Sequence, residues 1–287
     1  MRSRRLASYW LSAPALLVYA AFLVVPMGAI VLISFQHFEF YGGIQPGFTL
    51  KNYAEVFGDG YYWEIFGRTF WIALVVTAAC AILGTFEAIV LNRMANPWKG
   101  LFLMIVLGPL LISVVVRTLG WALLFGSTGL VNKGLALLGI EPVQFMYANI
   151  GVIVALTHVL VPFVVISVWA SLQRIDPAVE RAAVSLGAGR AAVLRRVIVP
   201  LAMPGILSGS VIVFALAASA FATPAIIGGR RLKVIATAAY DEFLNTLNWP
   251  LGASLAVLLL IVNIVVLQAS NRMMERRYKA VFNEGGP

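Results

Sequence analysis

Charge is scarce in this 287-residue sequence: Asp, Glu, Lys and Arg together make up 11% of it, against roughly a quarter in an ordinary soluble domain. That shortage excludes a cytosolic globular protein. Cysteine occurs once, at Cys80, so an intrachain disulfide framework and a thiolate metal cluster are both excluded. There are two histidines and no His-Glu-x-x-His pair, and no Gly-x-Ser-x-Gly turn or paired carboxylates within an apolar run. These absences point to no catalytic residue, no metal site and no intramembrane hydrolase. A Gly-x-x-x-x-Gly-Lys-[Ser/Thr] loop is also missing, so the chain has no phosphate-cradling loop of its own.

What is present is apolar. Hydrophobic residues reach 61% and the mean hydropathy is +0.92, so the bilayer is the expected solvent. Apolar runs of about 20 residues, each long enough to cross it as a helix, recur along the chain. Six spans are expected: Trp10 to Ser34, Phe70 to Leu91, Leu101 to Phe125, Ile150 to Leu172, Pro204 to Ala222 and Leu251 to Leu267. The fold class is therefore an all-α integral membrane protein, one transmembrane domain over residues 1–287 with short loops. The first run is far longer than the apolar region of a cleaved signal, so it reads as a retained anchor.

The net charge of +9 works as a topology signal in such a chain and implies no nucleic acid. One set of alternate loops carries Arg2, Arg4, Arg5, Arg93, Lys99, Arg174, Arg181, Arg190, Arg195, Arg196, Arg272, Arg276, Arg277 and Lys279. The other carries only Lys51, Lys133, Arg230, Arg231 and Lys233. Because Lys and Arg accumulate on the cytoplasmic side, both termini and the connection over residues 173–203 are expected in the cytoplasm.

That connection reads as helix rather than coil. Asp176 can cap a helix that starts at Pro177, and the good helix formers that follow run to Gly187, which suits the left-handed position just past a helix end. A second helix from Arg190 leads through Arg195, Arg196 and Pro200 toward the fifth span. Ala182, Ala183 and Ala188 give the first helix a side without bulk, while Glu180, Arg181 and Arg190 put charge at its rim. The same features would also suit an amphipathic segment lying on anionic headgroups.

Three ionisable residues fall inside expected spans: Glu87, Arg117 and His158. Each costs roughly 2.5 to 3.5 kcal/mol at the bilayer centre, so each should face protein or water. Arg117 sits about 25 Å into the third span, near the outer leaflet, with Ser113, Thr118 and Trp121 as company. Glu87 reads as a snorkelling carboxylate or a partner of Arg93, and His158 as an interhelical contact. The fifth span is rich in Gly, Ala and Ser, which fits close helix packing and a wet path equally well. Beyond it, Phe221-Ala222-Thr223-Pro224 should end the helix at the proline and free carbonyls toward a cavity. Arg117, Trp121, His158, Ser219, Phe221 and Thr223 are the candidate substrate-path residues.

The run Arg181-Ala182-Ala183, then Gly187, then Val197, Val199 and Pro200 resembles the Glu-Ala-Ala loop of the inner-membrane permeases of binding-protein-dependent ABC importers. The spacing matches throughout, with Arg181 at the place of the usual glutamate, Glu180 just before it, and valines for Ile and Leu. Ser127-Thr128-Gly129-Leu130-Val131-Asn132, Leu160-Val161-Pro162-Phe163, Met203-Pro204-Gly205, Ile227-Gly228-Gly229 and Asn248-Trp249-Pro250-Leu251-Gly252-Ala253 are similar to the spermidine/putrescine-type permeases in particular.

The resemblance implies a permease subunit of the bacterial inner membrane that works by alternating access. Its partners would be a second homologous permease, two ATP-binding cassette ATPase subunits and an extracytoplasmic solute-binding protein. ATP and Mg would sit on the ATPase, and this chain would hold no cofactor. It further implies that 173–203 is the coupling loop, with Glu180, Arg181, Ala182, Ala183, Gly187 and Pro200 toward the ATPase. The substrate would be a small polar solute such as a polyamine, with iron, aminophosphonate, opine and other small amines as alternatives. A secondary transporter driven by an ion gradient is the competing function, for which Glu87 and His158 would be the coupling groups.

Overall fold

The computed structural model describes residues 13–14 and 16–283, with side chains through residue 272. Trp10, where the first span is expected to begin, and Arg2, Arg4 and Arg5 lie outside the described residues. In chain order the elements are α1 (Leu16–Ser34), a hairpin of β1 (His37–Glu39) and β2 (Gly43–Gln45), α2 (Lys51–Gly58), α3 (Gly60–Arg93) and α4 (Trp98–Leu111). Then come α5 (Val114–Phe125), α6 (Leu130–Leu137), α7 (Asn149–Leu172), α8 (Pro177–Ser185) and α9 (Arg190–Ala218). A π-turn over Pro224–Gly228 precedes α10 (Ile235–Leu244) and α11 (Trp249–Asn283). By length and composition, six stretches among the described residues are able to cross a membrane: Leu16–Ser34, Gly60–Arg93, Val114–Leu137, Asn149–Leu172, Arg190–Ala218 and Trp249–Arg272.

The third expected span is not one helix. Pro109 in the last turn of α4 removes a backbone donor, and Ile112 and Ser113 are extended (ψ 140° and 134°), so the chain restarts as α5. The fifth expected span also ends early. Its helix stops at Ala218, with Ser219 capping, and Pro224 opens the π-turn instead of closing the helix.

Packing divides the chain into two units. The first joins residues up to Glu64 with Ala238–Ile261. Within it Asn52 donates to the carbonyls of Ser34 and Gln36, both at 2.9 Å, and fastens α2 to the end of α1. Ser34 and Tyr53 share a hydroxyl contact of 2.7 Å beside the stacked rings of Phe35 and Phe48.

The second unit, Ile65–Thr237 with the chain after Ile261, is built on α7. Val152, Ala155, Leu156, Leu160, Val164, Val165, Val168 and Leu172 form its buried face. On one side α9 comes close because Gly205 and Gly209 carry no Cβ; one at Gly205 would lie 2.5 Å from the Ser167 carbonyl oxygen. On another side Gly84 admits α3, where an added Cβ would sit 2.8 Å from Val164. The small residues of the fifth span that are buried here, Ala202, Gly205, Gly209, Ala217 and Ala218, are therefore packing residues.

Candidate functional site

The connection between α7 and α9 folds as its residues dictate. The Asp176 carboxylate accepts the Ala178 N–H at 2.8 Å and Pro177 takes the first helical position, which together start α8. At the other end Gly187 has φ +84°, its N–H donates to the Val184 carbonyl, and the Ala188 N–H reaches back to Ala183. This is a Schellman stop, and it uses a backbone conformation that glycine adopts without strain. From Arg190 the chain is helical without interruption to Ala218.

The faces of α8 differ from the expectation. Ala183 and Ala188 pack against the core of their own unit, because they fall on the side turned toward it. The outward stripe is Val179 (44% exposed), Ala182 and Leu186 (89% exposed), at helical spacing, beside exposed Arg181. Glu180 does not stand free at the rim. Its Oε1 accepts from Arg93 Nη2 at 2.9 Å, so Arg93 pairs there and not with Glu87. Among the described residues Glu87 has no ion-pair partner. Pro200 is exposed in the first turn that follows the π-segment Leu194–Ile198.

The expected path residues fall into two groups. On α5, Arg117 and Trp121 lie beside α7, where Trp121 Nε1–H donates to His158 Nδ1 at 3.3 Å with the rings edge to face. Arg117 Nε and Nη1 are buried without an acceptor among the described residues. The break at Ile112–Ser113 places Arg117 in the opening turn of α5, its N–H donating to the Ser113 carbonyl, rather than deep in a continuous span.

Thr223 is buried, its hydroxyl 3.2 Å from that of Thr118, so it ties the π-turn to α5. Ser219 is exposed but returns its hydroxyl to the Ala215 carbonyl at 2.7 Å. Phe221 is exposed, and its carbonyl accepts from the Ala225 N–H. The Ile227 carbonyl accepts from Tyr147 at 2.8 Å.

Sequence reasoning passed over a structural lock in the same unit. Asn132, at the end of the Ser-Thr-Gly-Leu-Val-Asn run, donates to the Gly126 carbonyl and accepts from the Val143 N–H at 2.9 Å. It holds a cavity of about 530 Å³ whose walls include Phe125, Gln144 and Tyr147. Tyr147 is at φ 63° with its ring against Gly229, where a Cβ would come within 2.9 Å. Arg231 lies over that ring at 5.8 Å. Asn132 and Gly229 stand in the quoted runs, but sequence alone does not bring Tyr147 against Gly229.

The family profile of the binding-protein-dependent transport system inner membrane component matches residues 69–280. This chain belongs to that family. It is a multi-pass inner membrane protein of bacterial type and a transport permease subunit, not an enzyme. Among curated relatives, the spermidine/putrescine transport system permease protein PotB of Escherichia coli (strain K12) is 29% identical over 261 residues, covering 89% of this chain and 94% of that protein. Two solved structures share the fold of this permease at 20% identity, each covering 96% of both chains. They are a bacterial ABC transporter involved in import of the acidic polysaccharide alginate, TM-score 0.80, and an alginate ABC transporter in complex with an alginate pentasaccharide-bound periplasmic protein, TM-score 0.79.

Proposed function

We propose that this chain is one permease half of an ABC importer that receives its solute from an extracytoplasmic binding protein and is driven by a separate ATPase through α8. The observation that carries the reading is the outward face of α8. A helix capped at both ends presents Val179, Ala182 and Leu186 to the outside instead of burying them, which suits a partner groove. The loop pattern with Glu-Ala-Ala spacing and the family membership support the same assignment. Residues 173–203 and both termini then face the cytoplasm, in line with the basic bias of the loops. A second permease subunit, two ATPase subunits and the binding protein complete the assembly; the alginate transporter captured with its periplasmic protein is a parallel on the same fold.

The solute is a small polar amine of polyamine type, a reading supported by the PotB relative. Radiolabelled spermidine uptake into cells carrying the complete importer tests this directly, and uptake indistinguishable from a strain lacking the permease refutes it. The coupling role has its own test. Leu186→Glu places a charge on the highly exposed apolar residue that caps α8, and ATPase copurification should fall severalfold while membrane insertion is kept. Unchanged copurification returns α8 to a lipid-surface helix. Topology is checked by single cysteines at exposed Ser185 and Lys133 on a Cys80→Ala background; labelling from the same side overturns the orientation.

A further inference from the structure

The helix that would meet the ATPase is joined by covalent chain to only two of the spans. α8 follows α7 through Gln173–Asp176 and precedes α9 through Leu186–Gly189. The second span, α3, ends at Arg93, 87 residues before Glu180 in sequence, so anything transmitted to it must cross non-covalent contacts. At the end of α3 those contacts are both apolar and polar. Between the end of α3 and α8 lies a cleft of about 210 Å³ whose walls include apolar Ile89, Leu172 and Ile175 as well as Asn92, Arg93 and Glu180.

Two bonds bridge this gap. Arg93 Nη2 donates to Glu180 Oε1 at 2.9 Å, and Gln173 Nε2 donates to Asn92 Oδ1 at 2.8 Å. Consecutive residues of the α3 terminus thus hold Gln173 at the end of α7 and a residue in the first turn of α8. Adjacent helical positions point about 100° apart. The carboxylate at 180 therefore turns inward to Arg93 while Arg181 stays exposed, which explains the displaced glutamate of the loop pattern.

We propose that the Arg93–Glu180 pair, backed by Asn92–Gln173, is a positioning clamp that delivers the displacement of α8 to α3 as well as to α9. The clamp rests on the reading that α8 is the point where the ATPase acts. Both side chains are about half exposed (53% and 46%). A pair of this kind adds little to stability, but it joins the end of α3 directly to the first turn of α8. It is also weak enough to be remade at each turn of a transport cycle.

The test uses the permease assembled with its copurified ATPase and a Cys80→Ala background, and requires no transported solute. Nitroxides are placed at Leu74→Cys on α3 and Ile212→Cys on α9, both exposed positions, and their line shapes are recorded with and without non-hydrolysable ATP. In the parent, both reporters should respond. In Arg93→Glu and in Glu180→Arg the Leu74 response should fall by about fivefold, the factor set by roughly 1 kcal/mol, while the Ile212 response persists. The double variant with the charges exchanged should restore it.

An unchanged Leu74 response in the single variants overturns the clamp, as does equal loss at both reporters or failure of the exchanged pair to restore it. Silence at both reporters in the parent, with ATPase bound, overturns the coupling reading and the clamp together. Response at Ile212 alone in the parent overturns only the clamp.

Discussion

Arg93 and Arg117 are the same side chain in opposite settings. Arg93 ends α3 at a wet surface, makes one 2.9 Å ion pair and keeps half its area in solvent. Arg117 opens α5 within an apolar segment and holds two N–H donors out of water with no acceptor among the described residues. The first arrangement gains little because water competes for both partners. The second is costly because buried donors lose their hydration and receive nothing in exchange. An arginine retained at such a cost is a candidate for work done in another conformation or against another subunit or solute.

The contrast is broken or sharpened most strongly at Arg117. Arg117→Leu removes the unpaired donors at similar bulk, so thermal stability of the purified permease should hold or rise while transport falls by about tenfold or more, equivalent to roughly 1.4 kcal/mol. Full transport with raised stability would reduce Arg117 to a surplus charge. Next in size is Ala183→Leu, which forces three extra carbons into the core side of α8 and should destabilise the permease by about 1 to 3 kcal/mol. The measurement is the melting midpoint of the permease alone, and no shift would contradict the inward placement of Ala183.

Gly187→Ala comes third. A Cβ there meets no atom within 4 Å, so the expected cost of about 1 kcal/mol arises only from the left-handed backbone at φ +84°. Gly187→Asn should recover most of it, because asparagine tolerates that region, and equal losses in the two variants would point to a contact instead. Arg93→Ala should be the smallest, with less than about 1 kcal/mol lost from stability. A loss of several kcal/mol would mean that the pair is structural and would narrow its difference from Arg117.

The α8 segment was legible because each of its signals is local. The Asp-Pro start and the Gly stop act on their own backbone within one turn, and both occur where the sequence places them. The substrate-path residues were less legible. Trp121 and His158 meet, yet Thr223 turned out to be a buried tie to Thr118, a partner 105 residues away that no local rule reveals. The break at Ile112–Ser113 escaped for another reason: the segment is apolar enough overall to read as one span, and hydropathy is blind to backbone dihedrals.

The sequence by itself determined the solvent, the number of spans able to cross it, the basic asymmetry of the loops and the capped helix before the fifth span. These follow from composition and from interactions within a few residues. Only the tertiary structure decided which side of α8 is buried, which carboxylate Arg93 meets, and that Gly205 and Gly209 serve contact with α7 rather than a water path. Those outcomes depend on which surfaces meet across long stretches of chain, and in a bilayer, where nearly every face of a helix is apolar, hydrophobic patterning carries little information about which face that is.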